Sequence, residues 1–209
     1  MWTLYYAPGT CALATHIALE EAGADYEAVR VDFGSQAQRA PEYLAINPKG
    51  RVPALVTETG TITETPGLLF FVAQRFPAAE LAPLGDPFAL AQVQEFNNYL
   101  CSTVHVAHAH GRRGARWADD VAAIEAMKRK VPMTMTECAE LIEQKFSKGP
   151  WVMGAQYTIC DPYLFTIGTW LEGDGVDTTR LPRILDHRRR MLTRAAVQKA
   201  TSVEGTQMP

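Results

Sequence analysis

The apolar and polar positions in the first part of the chain follow two different periods. Short runs rich in β-branched and aromatic residues, typical of strands, alternate with segments whose apolar residues recur at helical spacing. This order predicts a small mixed sheet with helices on its faces. The predicted strands cover residues 2–6, 26–31, 52–56 and 61–62, and the predicted helices cover residues 11–22, 36–44 and 68–75.

The pattern changes after residue 76. Residues 77–87 contain three prolines and a glycine, which is typical of a linker. Beyond them no strand signal is strong, and helical composition or spacing covers residues 88–109, 119–145, 158–170 and 182–200. We therefore predict an α/β domain at 1–76 and an all-helical domain at 88–209, joined by a linker at 77–87.

Composition limits the classes of partner. The 209 residues are 47% hydrophobic and 21% charged, with a net charge of −3, whereas nucleic acids and anionic membranes require a basic face. No apolar run approaches the ~20 residues of a membrane span, and the first residues do not resemble a secretory signal. The four cysteines are scattered, without zinc spacing, and predict reduced thiols in a cytoplasmic protein.

Cys11 has an unusual position in the sequence. It follows the Pro8-Gly9 turn and begins a predicted helix. Unpaired N–H groups and the positive end of the helix dipole lower the pKa of a thiol at such a place. The position therefore predicts a reactive thiolate.

The dipeptide Val52-Pro53 follows a strong turn signal at residues 47–50. Base rates alone favour a trans bond and a proline that begins a strand. A cis bond would instead turn the backbone N–H and C=O groups of Val52 outward, where they could pair with an extended peptide ligand. Both interpretations remain open at the level of local sequence.

Residues 63–67 also suggest a ligand-binding site. Thr65 is a good N-cap and Pro66 fits the first helical position, so a helix with free N–H groups is expected to begin here. Such an end binds carboxylates, and Glu64 offers an anion for an ammonium group. The helix start and Glu64 together match the α-carboxylate and α-ammonium groups of an amino acid. A capped helix with an exposed glutamate explains the same residues equally simply.

Four segments follow one another along the chain: YYAPGTCALATHIALEEAG, INPKGRVPALV, ITETPGLLFFVAQRFP and GAQYTICDPYLF. They resemble the active-site turn and first helix, the cis-proline segment, the third helix and the start of a long core helix of the cytosolic glutathione S-transferases. The resemblance spans essentially the whole chain. It implies a thioredoxin-like α/β N-terminal domain, an all-α C-terminal domain, glutathione as co-substrate, no metal, and a capping box formed by Thr158 and Asp161.

A cysteine directly after the turn is similar to the bacterial beta class of that family. This class also has Asn, Ser and His at the positions of Asn98, Ser102 and His105, and spacings of four and three place them on one helix face. The resemblance implies that His105 lies near the thiol and that Asn98 reaches glutathione held by a partner subunit. It also implies a homodimer, and the apolar run at 68–71 exceeds what one helix face would bury.

The resemblance assigns further roles by position. Cys11, Thr10 and Tyr6 are rival contacts for the glutathione sulfur, and His105 completes the expected catalytic group. The expected glutathione-binding residues are Arg51, Val52, Pro53, Glu64, Thr65, Asn98 and Ser102.

Residues 106–117 are the part of the chain that is least typical of the family. Arg112, Arg113, Arg116 and Trp117 predict a second-substrate pocket for a small hydrophobic or anionic electrophile, although a solvated basic loop is equally compatible with the pattern. The histidines of this helix lack a carboxylate or cysteine at metal-ligand spacing. Elsewhere, His16 is expected to be structural and His187 to belong to a charged surface run.

The resemblance implies conjugation of glutathione to an electrophile, or thiol–disulfide exchange through a Cys11 thiolate, in cytoplasmic detoxification. Two alternatives stay open, because a fold does not determine a function. One is a glutathione-binding protein without catalysis. The other is a different glutathione-dependent enzyme, such as an isomerase, a dehalogenase or a peroxidase.

Overall fold

The computed structural model describes residues 1–205 of the chain. Its sheet has four strands in the order β2-β1-β3-β4. β1 pairs with β2 in parallel and with β3 in antiparallel register, and β3 and β4 form an antiparallel hairpin. This is the predicted mixed sheet of the thioredoxin-like type. The strands are β1 (Trp2–Tyr6), β2 (Tyr26–Arg30), β3 (Ala54–Thr57) and β4 (Gly60–Thr63).

Three helices accompany the sheet: α1 (Ala12–Glu21), α2 (Pro41–Ile46) and α3 (Thr65–Arg75). The predicted helix at 36–44 is instead a 3₁₀ turn, Ala37–Arg39, followed by α2. The extended backbone of Ala40 (ψ 144°) separates the two, as expected for a residue that precedes a proline.

The rest of the described chain is mainly helical: α4 (Pro87–Tyr99), α5 (His105–Arg113), α6 (Val121–Leu141), α7 (Cys160–Gly168), α8 (Pro182–Leu192) and α9 (Ala195–Glu204). The segments Leu100–Val104 and Ile142–Phe146 are π-helical. The predicted helix at 182–200 is divided between α8 and α9, because Arg194 has an extended backbone (ψ 133°). Its guanidinium binds both carboxylate oxygens of Glu21 in α1 and lies over the Tyr157 ring.

Helix α1 is buried along most of its length because it packs against α3, α7 and α9. His16 in α1 binds Glu204 in α9 at 3.0 Å, and both residues are buried, which confirms the structural role expected of His16. Tyr6 donates a hydrogen bond from its hydroxyl to the carbonyl of Val203 at 3.3 Å. The end of α9 is therefore packed against the first strand and helix.

The linker segment and the two parts share one continuous core. Leu81 is buried, and its carbonyl accepts a hydrogen bond from the Ile159 amide at 2.8 Å. Leu68 and Leu69 are fully buried in that same core. Within the apolar run at 68–71, these two leucines are buried inside the chain, whereas Phe70 and Phe71 are only half-buried. The suggestion that the run contributes to a dimer surface stays a prediction.

Asp161 anchors the start of α7. Its carboxylate is fully buried and accepts hydrogen bonds from the backbone amides of Thr158 (2.7 Å) and Val152 (2.9 Å), which confirms the capping interaction with Thr158. The same carboxylate lies 3.0 Å from His187 Nε2. His187 is 5% exposed, so its assignment to a charged surface run was wrong.

Candidate active site

A cavity of about 330 Å³ lies between the sheet side and the helical side of the molecule. The start of α1, the segment before β3 and the start of α3 line one side, and α5 and α7 line the other. The predicted site residues that line it are Thr10, Cys11, Arg51, Val52, Pro53, Glu64, Thr65, His105, Arg113, Arg116 and Trp117. Those that the structure places outside this lining are Tyr6, Asn98, Ser102 and Arg112.

Cys11 occupies the N-cap position of α1, as its sequence position predicts. Its side chain is buried, and the Sγ atom lies 3.7 Å from the carbonyl oxygen of Val52. Burial raises the pKa of the Cys11 thiol above its ordinary value, and the nearby Thr65 side chain and Arg113 charge offset this only in part. The expected lowering of the Cys11 pKa was therefore wrong, because desolvation exceeds the effect of the helix end.

The two rivals of Cys11 have other hydrogen-bond partners. The Thr10 hydroxyl donates to the Ala7 carbonyl at 2.7 Å and accepts from the Ala12 amide at 3.3 Å, so it stabilises the turn into α1. The Tyr6 hydroxyl, already described, points toward α9 and outside the cavity lining. The Cys11 thiol, by contrast, lines the cavity and makes a weak 3.7 Å contact with the Val52 carbonyl.

The Val52-Pro53 peptide bond is cis. The preceding loop is held by Asn47, whose side-chain amide donates to the Arg51 carbonyl at 2.7 Å, and by Tyr43, whose hydroxyl donates to the same carbonyl at 2.7 Å. Gly50 has φ +58°, and a Cβ there would lie 2.8 Å from the Gln38 carbonyl. The turn that Asn47 opens was predicted from the sequence, but its side-chain contact with Arg51 was not.

Helix α3 begins one residue earlier than the capping signal predicted, because Glu64 and not Thr65 occupies the N-cap. Glu64 has φ 73°, and no side chain caps the first turn of α3. The N–H groups at this end are thus free for an anionic ligand within the part of the chain that the structure describes. The carboxylate of Glu64 pairs with Lys49 Nζ at 2.5 Å on the rim of the cleft.

The π-helical segment separates the three polar residues that were expected to share a face. Ser102 Oγ donates to the Asn98 carbonyl at 2.8 Å, and both residues are exposed outside the cavity lining. His105 follows the π-helical turn, lines the cavity and packs on Trp170 at 5.0 Å between ring centroids. A π turn has one residue more than an α turn in its hydrogen-bonded ring, which rotates the following residues to another face.

The helical side of the cavity is strongly basic. Arg113 and Arg116 line it together with Arg51 and Arg39 from the sheet side. Burial, followed by the charges of Arg113, Arg51 and Arg39, lowers the pKa of Arg116. Mutual repulsion of this kind is relieved by a bound anion.

The helical side also includes His108, Tyr163 and Trp170, which were not predicted as site residues. His108 lines the cavity one turn beyond His105, binds Asp174 Oδ2 at 2.7 Å and stacks on Trp170 with ring centroids 4.3 Å apart. The Tyr163 hydroxyl and Trp170 Nε1 are buried, and neither has a hydrogen-bond partner among residues 1–205. The two histidines at a spacing of three were visible in the sequence, but the carboxylate partner of His108 lies 66 residues away.

Comparison with known proteins agrees with this geometry. The profile of the family "Glutathione S-transferase, N-terminal domain" matches residues 2–74. The glutathione S-transferase GstA of Escherichia coli O157:H7 is 30% identical over 97% of this chain and 98% of its own length. The chain belongs to the glutathione S-transferase family. More distantly, this transferase is 26% identical to a maleylacetoacetate isomerase of Pseudomonas aeruginosa, over 86% of the chain and 85% of the relative.

Solved structures resemble the transferase over almost its full length. A glutathione transferase homologue from Sulfitobacter, determined with bound glutathione, has a TM-score of 0.95 and 48% identity and covers 99% of both chains. The bacterial beta class transferase of Sphingomonas chungbukensis has a TM-score of 0.85 and 28% identity, over 98% of this chain and 100% of the other. The transferase is thus similar to enzymes of the class that its cysteine position suggested.

No group of three or more His, Cys, Asp or Glu side chains within 1–205 is arranged to hold a metal ion. Across the same residues, none of the helices has the length and apolar character needed to span a membrane.

Proposed function

We propose that the cleft binds glutathione as an extended peptide and conjugates its sulfur to a small anionic electrophile. The observation that carries this proposal is the meeting, in one cavity, of Cys11, the Val52-Pro53 segment and the uncapped start of α3. These elements offer a sulfur contact, a backbone partner for a peptide and a carboxylate site. Glu64 supplies an anion for the ammonium group, which would compete with Lys49.

Cys11 acts in this proposal as a hydrogen-bond donor. Its raised pKa keeps the thiol protonated at neutral pH, so the S–H group can donate to the bound glutathione thiolate. A hydrogen bond to a charged group contributes about 1.5–3 kcal/mol, which corresponds to a lowering of the glutathione pKa by about one to two units. Thiol–disulfide exchange would require ionisation of Cys11 first, which burial opposes, so conjugation is the main activity proposed.

The second substrate is expected to carry negative charge. Arg113 and Arg116 line the helical side of the cleft, and Trp117, which is 47% exposed, lies beside them. Guanidinium groups bind carboxylates strongly and an indole ring accepts apolar or aromatic carbon. Arg112 is exposed and outside the lining, so it has no part in this pocket.

We further propose a cytoplasmic homodimer that acts in detoxification. The support for the dimer is the family membership and the exposure of Asn98, near the end of α4, and of Ser102, in the π-helical segment that follows. From this position Asn98 could reach glutathione in a partner subunit. The support for the cytoplasm is the presence of four free cysteines, typical of a reducing compartment. Light scattering coupled to gel filtration tests the dimer.

Calorimetric titration with glutathione, followed by conjugation assays with neutral and anionic electrophiles, tests the proposed function. We expect binding and turnover, with the anionic electrophile favoured. Absence of glutathione binding would overturn the proposal, and binding without turnover of any electrophile would favour a binding protein. Intact-protein mass after incubation with oxidised glutathione provides the remaining comparison, because a stable adduct on Cys11 at neutral pH would favour thiol–disulfide exchange.

A further inference from the structure

A histidine and a carboxylate form a close pair behind the helical side of the cleft. His108 Nδ1 lies 2.7 Å from one carboxylate oxygen of Asp174 and 3.0 Å from the other. The two side chains are 13% and 8% exposed. The His108 ring is stacked on Trp170, with an interplanar angle of 21°. Packing and a two-point contact therefore fix the orientation of this imidazole.

The pair determines which ring atom is available to a ligand. An ionised carboxylate only accepts hydrogen bonds, so Nδ1 must carry a hydrogen. His108 lines the cavity, and Nε2 is then the ring nitrogen left to exchange a proton with a bound molecule. A carboxylate that holds an imidazole in one tautomer and stabilises its protonated form is a recurrent arrangement in proton-transfer catalysis.

Asp174 is itself held in place by a tight turn. Its amide donates to the Trp170 carbonyl at 2.9 Å, and the next residue, Gly175, has φ +81°. A Cβ at Gly175 would lie 3.2 Å from the Pro132 ring. The turn after α7 thus brings a carboxylate against α5 with little freedom to move.

The other histidines of the described chain lack this combination. The carboxylate-paired His16 and His187 are buried away from the cavity lining. His105 lines the cavity, but burial and then the Arg113 charge lower its pKa to about 4, so it is neutral at physiological pH. His110 packs on Trp117 at 4.5 Å and is outside the lining.

We propose that His108 is a catalytic residue that donates a proton from Nε2 to the carbonyl oxygen of an α,β-unsaturated electrophile, and that Asp174 is its positioning residue. The inference rests on the proposed function, because it requires glutathione on the opposite side of the cleft. It narrows the electrophile to a conjugated carbonyl compound. A carboxylate on that compound would bind Arg113 or Arg116, which line the same side.

The step balances without any further reactant. Bound glutathione has lost its thiol proton to solvent, and its sulfur forms a C–S bond to the β carbon. The electron pair of the C=C bond forms a new double bond between the α carbon and the carbonyl carbon, and the π pair of the C=O bond moves to the oxygen. That oxygen takes the Nε2 proton of the His108 imidazolium, which keeps its Nδ1 hydrogen. The resulting enol becomes the ketone, and His108 recovers a proton from solvent. One glutathione and one enone give one thioether.

Two electrophiles distinguish this role from a structural one. Addition to benzylideneacetone requires a proton on the substrate, whereas displacement of chloride from chlorodinitrobenzene does not. In H108Q, we expect the ratio of kcat for benzylideneacetone to kcat for chlorodinitrobenzene to fall about a hundredfold or more, as for loss of a general acid. The KM for benzylideneacetone should change little, since the proton moves only in the transition state.

D174N is the nearly isosteric second variant and keeps the test valid if H108Q does not fold. The same ratio should fall about tenfold to a hundredfold, as for other groups that orient a functional imidazole. H110Q, on the same helix but outside the cleft, is the control and should keep the ratio. Equal losses with both electrophiles in H108Q or D174N, or the same loss of the ratio in H110Q, would overturn the inference.

Results for the unmodified protein separate this inference from the proposed function. If it conjugates neither these two electrophiles nor an anionic one, the proposed function fails. If it conjugates chlorodinitrobenzene but not benzylideneacetone, or if it conjugates both and the variants keep the ratio, only the role of His108 fails.

Discussion

Cys11 and Val52 meet at the base of the cleft, with the Cys11 sulfur 3.7 Å from the Val52 carbonyl oxygen. The contact joins the start of α1 to the segment before β3, 41 residues later in the chain. It places the thiol beside the backbone that is proposed to bind the peptide part of glutathione. Because the Cys11 thiol is buried and protonated, its hydrogen is available to a bound sulfur that replaces this weak partner.

Removal of the thiol should therefore act on the ionisation of glutathione. In C11A, we expect the pKa of bound glutathione to rise by about one to two units, the equivalent of one hydrogen bond to a charged group. Conjugation near pH 7 should fall about tenfold to a hundredfold and recover at high pH, where glutathione ionises without help. The pH dependence of kcat/KM measures this shift.

C138A is the matched control for C11A. Cys138 is a buried cysteine that lies outside the cleft, so its loss should leave the pH dependence in place. A C11A enzyme with the same profile as the unmodified enzyme would exclude Cys11 as the donor to the sulfur.

The arginines on the helical side of the cleft should make the enzyme prefer anionic electrophiles. In R113A, we expect the KM for an anionic electrophile to rise about tenfold, as for loss of one charge-assisted hydrogen bond. The KM for a neutral electrophile of similar shape should change less. Steady-state kinetics with benzylideneacetone and its ring-carboxylated derivative make the comparison, and R112A, on the exposed side of α5, is the control. Equal KM changes for both electrophiles would contradict the anionic pocket.

The loop before the cis proline should depend on Gly50. In G50A, the new Cβ would meet the Gln38 carbonyl at 2.8 Å on a backbone with φ +58°, so we expect a loss of at least about 1–2 kcal/mol in the free energy of unfolding. Urea denaturation measures it. Gly67, on α3, has open space around its Cβ position, and G67A should instead stabilise the protein by about 0.5–1 kcal/mol. Equal changes in the free energy of unfolding for the two substitutions would show that the close contact at Gly50 does not affect stability.

His105 should make the folding stability of the protein depend on pH. It binds a proton at an ordinary pKa of 6.5 in the unfolded chain but only at about 4 in the folded protein. The unfolded state therefore takes up the proton first as pH falls, and the folded state loses relative stability between pH 6.5 and 4. The loss attributable to this residue is roughly 3 kcal/mol at most.

Unfolding free energies measured at several pH values test this linkage. In H105Q, the decrease between pH 6.5 and 4 should be smaller than in the unmodified protein. H110Q, which alters a histidine on the same helix, should keep the decrease. An unchanged slope in H105Q would mean that other groups cause the acid sensitivity.

Local sequence was sufficient for features that depend on neighbours in the chain. The hairpin after Pro53 and the capping contact of Thr158 with Asp161 are short-range patterns, and each is present in the structure. The cis bond at Pro53 followed from the family resemblance and not from the local pattern.

Features that depend on distant packing were not accessible in the same way. The direction of the Cys11 pKa shift was mistaken because burial comes from helices far along the chain. The π-helical turn that separates Asn98 from His105 has no composition signal of its own. The partner of His108 belongs to a turn 66 residues away, and a single sequence gives no distance between them.

The contact of α9 with α1 has a consequence for how the protein is made. Val203 and Glu204 bind Tyr6 and His16, which lie 197 and 188 residues earlier. While the ribosome has not yet translated residue 195, the nascent chain has no α9 to cover α1. The cleft therefore reaches its final form only after nearly all the chain has been translated, and until then α1 retains an apolar surface that a chaperone could recognise.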